Sequence, residues 1–240
     1  MSTGKMNFNI FCAILLVYEF FSLILTLSGS VMPLGRYSSF KIIKSQLKFT
    51  EENMRNDILD KLQSEVYDRC RKPMNKFGIG CYYHIIAVVK NAEILAEKYG
   101  ADKEIVMIAA WLHDIASITD YSLYEQHHIH GAKMAYSILK EYDYDEQRIE
   151  LVQECIKNHR GSVSLEKSSI EELCVADADA ISHFDSVPSL LFLAYAQKGM
   201  GIEEGKEFVK SKLTRSFQKL SAESKKHYQN KFEKVMEVLN

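Results

Sequence analysis

Residues 111–116 read "WLHDIA", a histidine and an aspartate side by side in an apolar run. Burying an unpaired carboxylate costs several kcal/mol, so Asp114 needs a partner. A hydrogen-bonded core pair with His113 is the plain reading, and the rest of the chain decides whether a cation is the better one. The run itself, "EIVMIAAWLHD", is apolar in too long a stretch for a half-buried strand and reads as a helix over about 103–114.

Working outward, the pattern stays helical. "TEEN" at 50–53 is a capping pattern leading into "MRNDILDKLQSEVYDRC". "YYHIIAVVKNAEILAEKYG" is an amphipathic helix closed by Gly100, and two more helices are expected over 128–141 and 145–159. Ser168 or Ser169 can cap a helix through "IEELCVADADAISHF", with two or three further helices after it. Only three prolines occur in 240 residues, and no run of alternating β-branched residues appears. The fold class expected is all-α, a helical bundle preceded by a hydrophobic N-terminal segment.

That segment, Ile10 to Leu27, has only Glu19, Ser22 and Thr26 as clearly polar residues and is just long enough to span a bilayer. Glu19 at its centre costs roughly 2.5–3.5 kcal/mol, which the many Leu, Ile, Phe and Val offset. Arg36, Lys41, Lys44 and Lys48 follow it, and the positive-inside rule then leaves the body of the protein in the cytoplasm behind an N-terminal anchor. A signal peptide cleaved near "SGS" at 28–30 and a leader without function are the alternatives. The organisation read is a leader or anchor at 1–35, a linker at 36–49, and one domain at 50–240.

Net charge is −2, so no general attraction to nucleic acid is implied and DNA binding is not expected. The five cysteines are an odd number and none forms a C-x-x-C pair, which argues for reduced thiols rather than a disulfide framework or a thiolate zinc site.

Seven of the eight histidines lie between 84 and 183. His84 shares a helical stripe with Val88 and Leu95; His159 lies on the face of Val152, Cys155 and Ile156; Asp177 and Asp179 interrupt another apolar helix. One inward histidine is ordinary packing. Four elements that each bring a His or Asp inward suggest a divalent metal of borderline or hard character, which would also be the missing partner of the His113–Asp114 pair.

The ordered set His84, His113-Asp114, Asp179 resembles the H…HD…D pattern of the HD-domain superfamily, whose members are all-helical metal-dependent phosphohydrolases. The resemblance covers roughly residues 50–240. It implies that His84, His113, Asp114 and Asp179 are metal ligands, with Ala178-Asp179-Ala180-Ile181 matching the family's closing ligand helix. A helical wheel instead groups Asp177 with Ile170, Leu173, Cys174 and Ile181, so Asp177 stands as the alternative last ligand. "EQHHIHGAKMA" and "IKNHRG" resemble the extra histidines of the branches that hold two metals, which makes His159, His127 and His128 candidates for a second ion.

The cofactor expected is therefore a divalent metal (Mn, Mg, Fe, Co, Ni or Zn), as one ion or two. It would activate water and polarise a phosphoryl oxygen, and positive side chains are then needed for the phosphate charge. Lys157 and Arg160, which flank His159, are the candidates. Guanosine-tetraphosphate hydrolases and five-prime nucleotidases of the superfamily carry H-D-x-x-E, whereas Ser117 stands at that glutamate's place here; Asp120 or Glu125 could replace it. The basic run Lys206, Lys210, Lys212, Arg215, Lys219, Lys225 and Lys226 reads as the solvated face of a helix, with a pocket for an anionic substrate as the alternative. The expected partner is a small phosphorylated substrate, with a nucleotide favoured. A di-iron oxygenase and a non-enzymatic ligand-binding module are the competing functions.

Overall fold

The computed structural model describes residues 54–160 and 167–240. Among them are ten α-helices and no strand: α1 (Asn56–Cys70), α2 (Gly80–Tyr99), α3 (Lys103–Leu112), α4 (Ile115–Thr119), α5 (His127–Glu141), α6 (Glu146–Asn158), α7 (Ile170–Asp185), α8 (Val187–Phe192), α9 (Ile202–Lys219) and α10 (Ala222–Val238). A 3₁₀ turn (Tyr121–Gln126) precedes α5, and a π-helical turn (Leu193–Gln197) follows α8.

Local chemistry sets the helix ends. Asp102, Asp145 and Ser169 each accept a hydrogen bond from the backbone N–H three residues on, at Ile105 (3.1 Å), Arg148 (3.0 Å) and Glu172 (3.2 Å). Such caps satisfy amides that no earlier turn can reach. Gly100 closes α2 at φ 68°, a conformation that a Cβ disfavours. The cap expected at 50–53 lies outside the described residues, as do the leader, the linker and the apolar stretch 10–27. No helix among the described residues is long and apolar enough to cross a membrane.

The core is built on α2, α3 and α7, with α2 packed along α7 and α3 against α2, α6 and α7. Ile105, Ile108 and Leu112 of α3 are fully buried, each worth about 1.5–3 kcal/mol relative to exposure. Helix α7 is buried on every side: eleven of its sixteen residues are shielded, Asp177 and Asp179 among them. A hydrophobic stripe cannot be defined on such a helix, so the wheel does not separate Asp177 from Asp179.

One departure from the expected helices matters for the site. The helix expected to run to 114 stops at Leu112, and the chain turns at Asp114 (φ −107°, ψ 12°) before α4. Consecutive residues on one α-helix point about 100° apart. The break lets the neighbours His113 and Asp114 both turn toward the same space.

Candidate metal centre

Four helices and one helix break deliver the candidate side chains. α2 carries His84; the α3–α4 break carries His113 and Asp114; His127 opens α5 and His159 follows the last turn of α6; α7 brings Asp179. Their ligand atoms form a chain. His84 Nε2 lies 3.4 Å from Asp179 Oδ1, His113 Nε2 3.5 Å from Asp114 Oδ2, and His127 Nε2 3.4 Å from Asp114 Oδ1. His127 Nε2 and His159 Nε2 are 3.1 Å apart. Three overlapping triplets result, each with its ligand atoms within 4.8 Å of one another: His84–Asp179–His183, His84–His113–Asp114 and Asp114–His127–His159.

The second nitrogen of each ring identifies its tautomer. Nδ1 of His113 sits 2.7 Å from the Ala110 carbonyl, that of His127 2.7 Å from the Tyr124 carbonyl, and that of His159 2.6 Å from the Ile156 carbonyl. A carbonyl only accepts, so each Nδ1 carries the proton and donates. In a neutral ring each Nε2 is then left as a bare lone pair. His84 follows the same logic one step removed. The Ser182 hydroxyl donates to the Asp179 carbonyl (2.6 Å), so it accepts from His84 Nδ1 (2.9 Å).

Lone pairs aimed at carboxylates and at one another repel unless a cation lies between them. His113 Nε2 is buried with no hydrogen-bond partner, and the 3.1 Å approach of His127 and His159 sets two acceptors face to face. Burial, with the neighbouring His113 and His127, pushes the His159 imidazole down to about 3, so it stays neutral there. Burial works to raise the Asp114 carboxyl, but positive charge around it, as His113, His127, His159 and His84 would carry when protonated, outweighs burial and lowers it below the usual carboxylate range. Imidazoles whose far N–H is fixed by a carbonyl are the usual orientation of metal-ligating histidine. The residues present fit a divalent metal, and Asp114, shared by two triplets, fits one or two ions.

Beside these donors lies a cavity of about 660 Å³. It is lined by the donors His84, Asp114, His127, His159, Asp179 and His183, by the rings of Phe77, Tyr121 and Tyr124, and by the cations Arg160, Lys212, Arg215 and Lys219. The Tyr121 and Tyr124 rings are parallel, 5.6 Å between centroids. Burial lowers the Lys212 ammonium, though Asp179 works in the opposite sense. Lys212 has no carboxylate partner within ion-pair distance among the described residues.

The structure does not bring every sequence-derived candidate to this cavity. Lys157 turns away to pair with Glu154 at 2.7 Å. Asp120 caps the 3₁₀ turn, accepting from the Ser122 N–H at 2.9 Å. His128 lies beyond His127, its ring 5.7 Å away and outside the three triplets, because successive residues on α5 point to different faces. Asp177 accepts from Ser221 N–H (2.9 Å) and Oγ (2.5 Å) and so holds the start of α10. Glu125 pairs with Arg160 through both its carbonyl and its carboxylate. Ser117 donates to the Asp114 carbonyl (2.9 Å) and to Oδ1 (3.3 Å), bracing the carboxylate rather than standing in for a glutamate.

The basic run on α9 divides. Lys212, Arg215 and Lys219 line the cavity, whereas Lys206 and Lys210 pair with Glu203 and Glu207 on their own helix. Sequence reasoning passed over His183, which the i, i+4 spacing from Asp179 could have marked.

The HD-domain family model matches residues 81–183, the segment that holds every residue of the donor chain. An uncharacterized protein of Clostridium beijerinckii is 31% identical over 114 residues, spanning 45% of this chain and 73% of that one. Among solved structures, Bacillus subtilis YpgQ superposes with a TM-score of 0.57 at 18% identity, covering 76% of this chain and 92% of YpgQ. YpgQ in complex with ADP gives 0.54 at 18% identity, with 75% and 93% covered. At that identity the likeness speaks for the fold. With the family match, the donor order along the chain and the helical architecture in agreement, this chain belongs to the HD-domain superfamily.

Proposed function

We propose that the chain is a metal-dependent phosphohydrolase acting on a nucleotide or another small phosphoester. The observation that carries this reading is that cationic side chains and a row of bare imidazole and carboxylate donors share one cavity. His84, His113, Asp114 and Asp179 would hold one divalent ion, and His127 and His159, with Asp114 shared, a second. Imidazole-rich donors suit Mn, Fe, Co, Ni or Zn better than Mg. Such an ion supplies Lewis-acid activation of water and of a phosphoryl oxygen.

The chain's own residues do the rest. Lys212 and Lys219 line the same cavity as the metal donors and would neutralise phosphate charge. Arg160, steadied by Glu125, offers a planar fork for two phosphate oxygens. Ser117 fixes the Asp114 rotamer by its hydrogen bonds. The aromatic wall of Phe77, Tyr121 and Tyr124 can stack a base, and the ADP complex of YpgQ supports a nucleotide as substrate class. The division into leader 1–35, linker 36–49 and hydrolase domain 50–240 belongs to this reading.

The test is a panel of nucleotides and simple phosphoesters with added Mn²⁺, run on the full chain and on His113→Ala. Release of phosphate or pyrophosphate by the first and not by the second is expected. No turnover of any phosphoester at full metal loading would refute it. The Asp114–His127–His159 triplet also suits a di-iron oxygenase, which iron content together with O₂ uptake would separate from hydrolysis.

A further inference from the structure

We propose that His183 is an additional metal ligand, joining the His84–Asp179 end of the centre; this rests on the metal-dependent reading above. His183 is 5% exposed, lines the cavity, and keeps its Nδ1 buried with no hydrogen-bond partner. Its place one turn after Asp179 on α7 puts both side chains on one face. Its ring centroid lies 4.6 Å from that of His84, inclined at 40°.

Two simpler roles fit less well. If His183 only packed, an apolar side chain would fill the space without burying an unpaired nitrogen. If it only oriented Asp179, its Nδ1 would hydrogen-bond Oδ1, but the separation is 3.9 Å. Donors that each sit about 2.0–2.2 Å from one ion lie roughly 3–4 Å from each other. The His84–Asp179 and His183–Asp179 separations, 3.4 and 3.9 Å, fall in that range. The orphaned nitrogen is the same kind of observation that marks His113. A third imidazole at this end strengthens the bias toward first-row transition ions over Mg²⁺.

The decisive experiment is a crystal structure of the unmutated full chain soaked with Mn²⁺, read by anomalous scattering. A peak within about 2.3 Å of His183 Nδ1 is expected. In solution, His183→Gln should bind Mn²⁺ at least tenfold more weakly and lose part of the preference for Mn²⁺ over Mg²⁺. A peak near the other donors but beyond 3 Å from His183, with unchanged affinity in His183→Gln, overturns the inference. If His113→Ala still loses its ion, that result leaves the metal-dependent reading standing. Full metal retention in both variants overturns the two together.

Discussion

Replacing His159 by alanine separates one ion from two. The wild-type chain should bind two divalent ions and the variant one, because His127 and Asp114 alone make a poor site. The size of the effect follows from mass action. A site filled at a hundred times its Kd stabilises the fold by about 2.7 kcal/mol. For a domain of this size 1 kcal/mol moves the melting midpoint by roughly 2–4 °C, so the metal-dependent gain should shrink by roughly 5–11 °C. In the metal-free protein the same substitution deletes the hydrogen bond to the Ile156 carbonyl (2.6 Å), at a cost of about 1–3 kcal/mol. It also removes the 3.1 Å confrontation of lone pairs with His127, which places the metal-free loss at the low end. Elemental analysis together with melts in EDTA and in Mn²⁺ measures both quantities. Two ions per chain and an undiminished metal-dependent gain in His159→Ala would refute the reasoning.

Acidification should act through the same residue. Burial holds native His159 neutral down to about pH 3, whereas the unfolded chain protonates it near its ordinary 6.5. Between those values the unfolded state binds more protons, so stability is complete above about 6.5 and is lost as pH falls toward 3. Melting midpoints of the metal-free chain that stay flat over this window would contradict the assignment. Lys212→Met, which keeps the apolar stem, should raise KM for a phosphorylated substrate tenfold or more, as expected for a lost charge-assisted contact. Its metal content should be unchanged, and Lys226→Met on the exposed face of α10 should leave KM alone; equal effects of the two would remove Lys212 from the site.

The sequence by itself determined the helices, because their signals are local. Apolar spacing, the cap at Ser169 and the closing Gly100 depend only on residues within a turn or two. The pair His113–Asp114 was equally legible, since a carboxylate inside an apolar run demands a partner wherever the run is buried. What a side chain meets across the core was not local. Asp177 and Asp179 are both buried on α7; they differ only in that α10 brings Ser221 to one and α2 brings His84 to the other. His127 and His128 are equivalent in sequence until α6 places His159 against the first. Lys212 reads like any solvated lysine until the packing of α9 brings it to the cavity that holds the donors. Helix formation answers to short-range hydrogen bonding and periodicity, whereas the site is assembled from residues as far apart in the chain as His84 and Lys219. Only the packing of α2, α7 and α9 around the break at Asp114 decides which of them share one electrostatic environment.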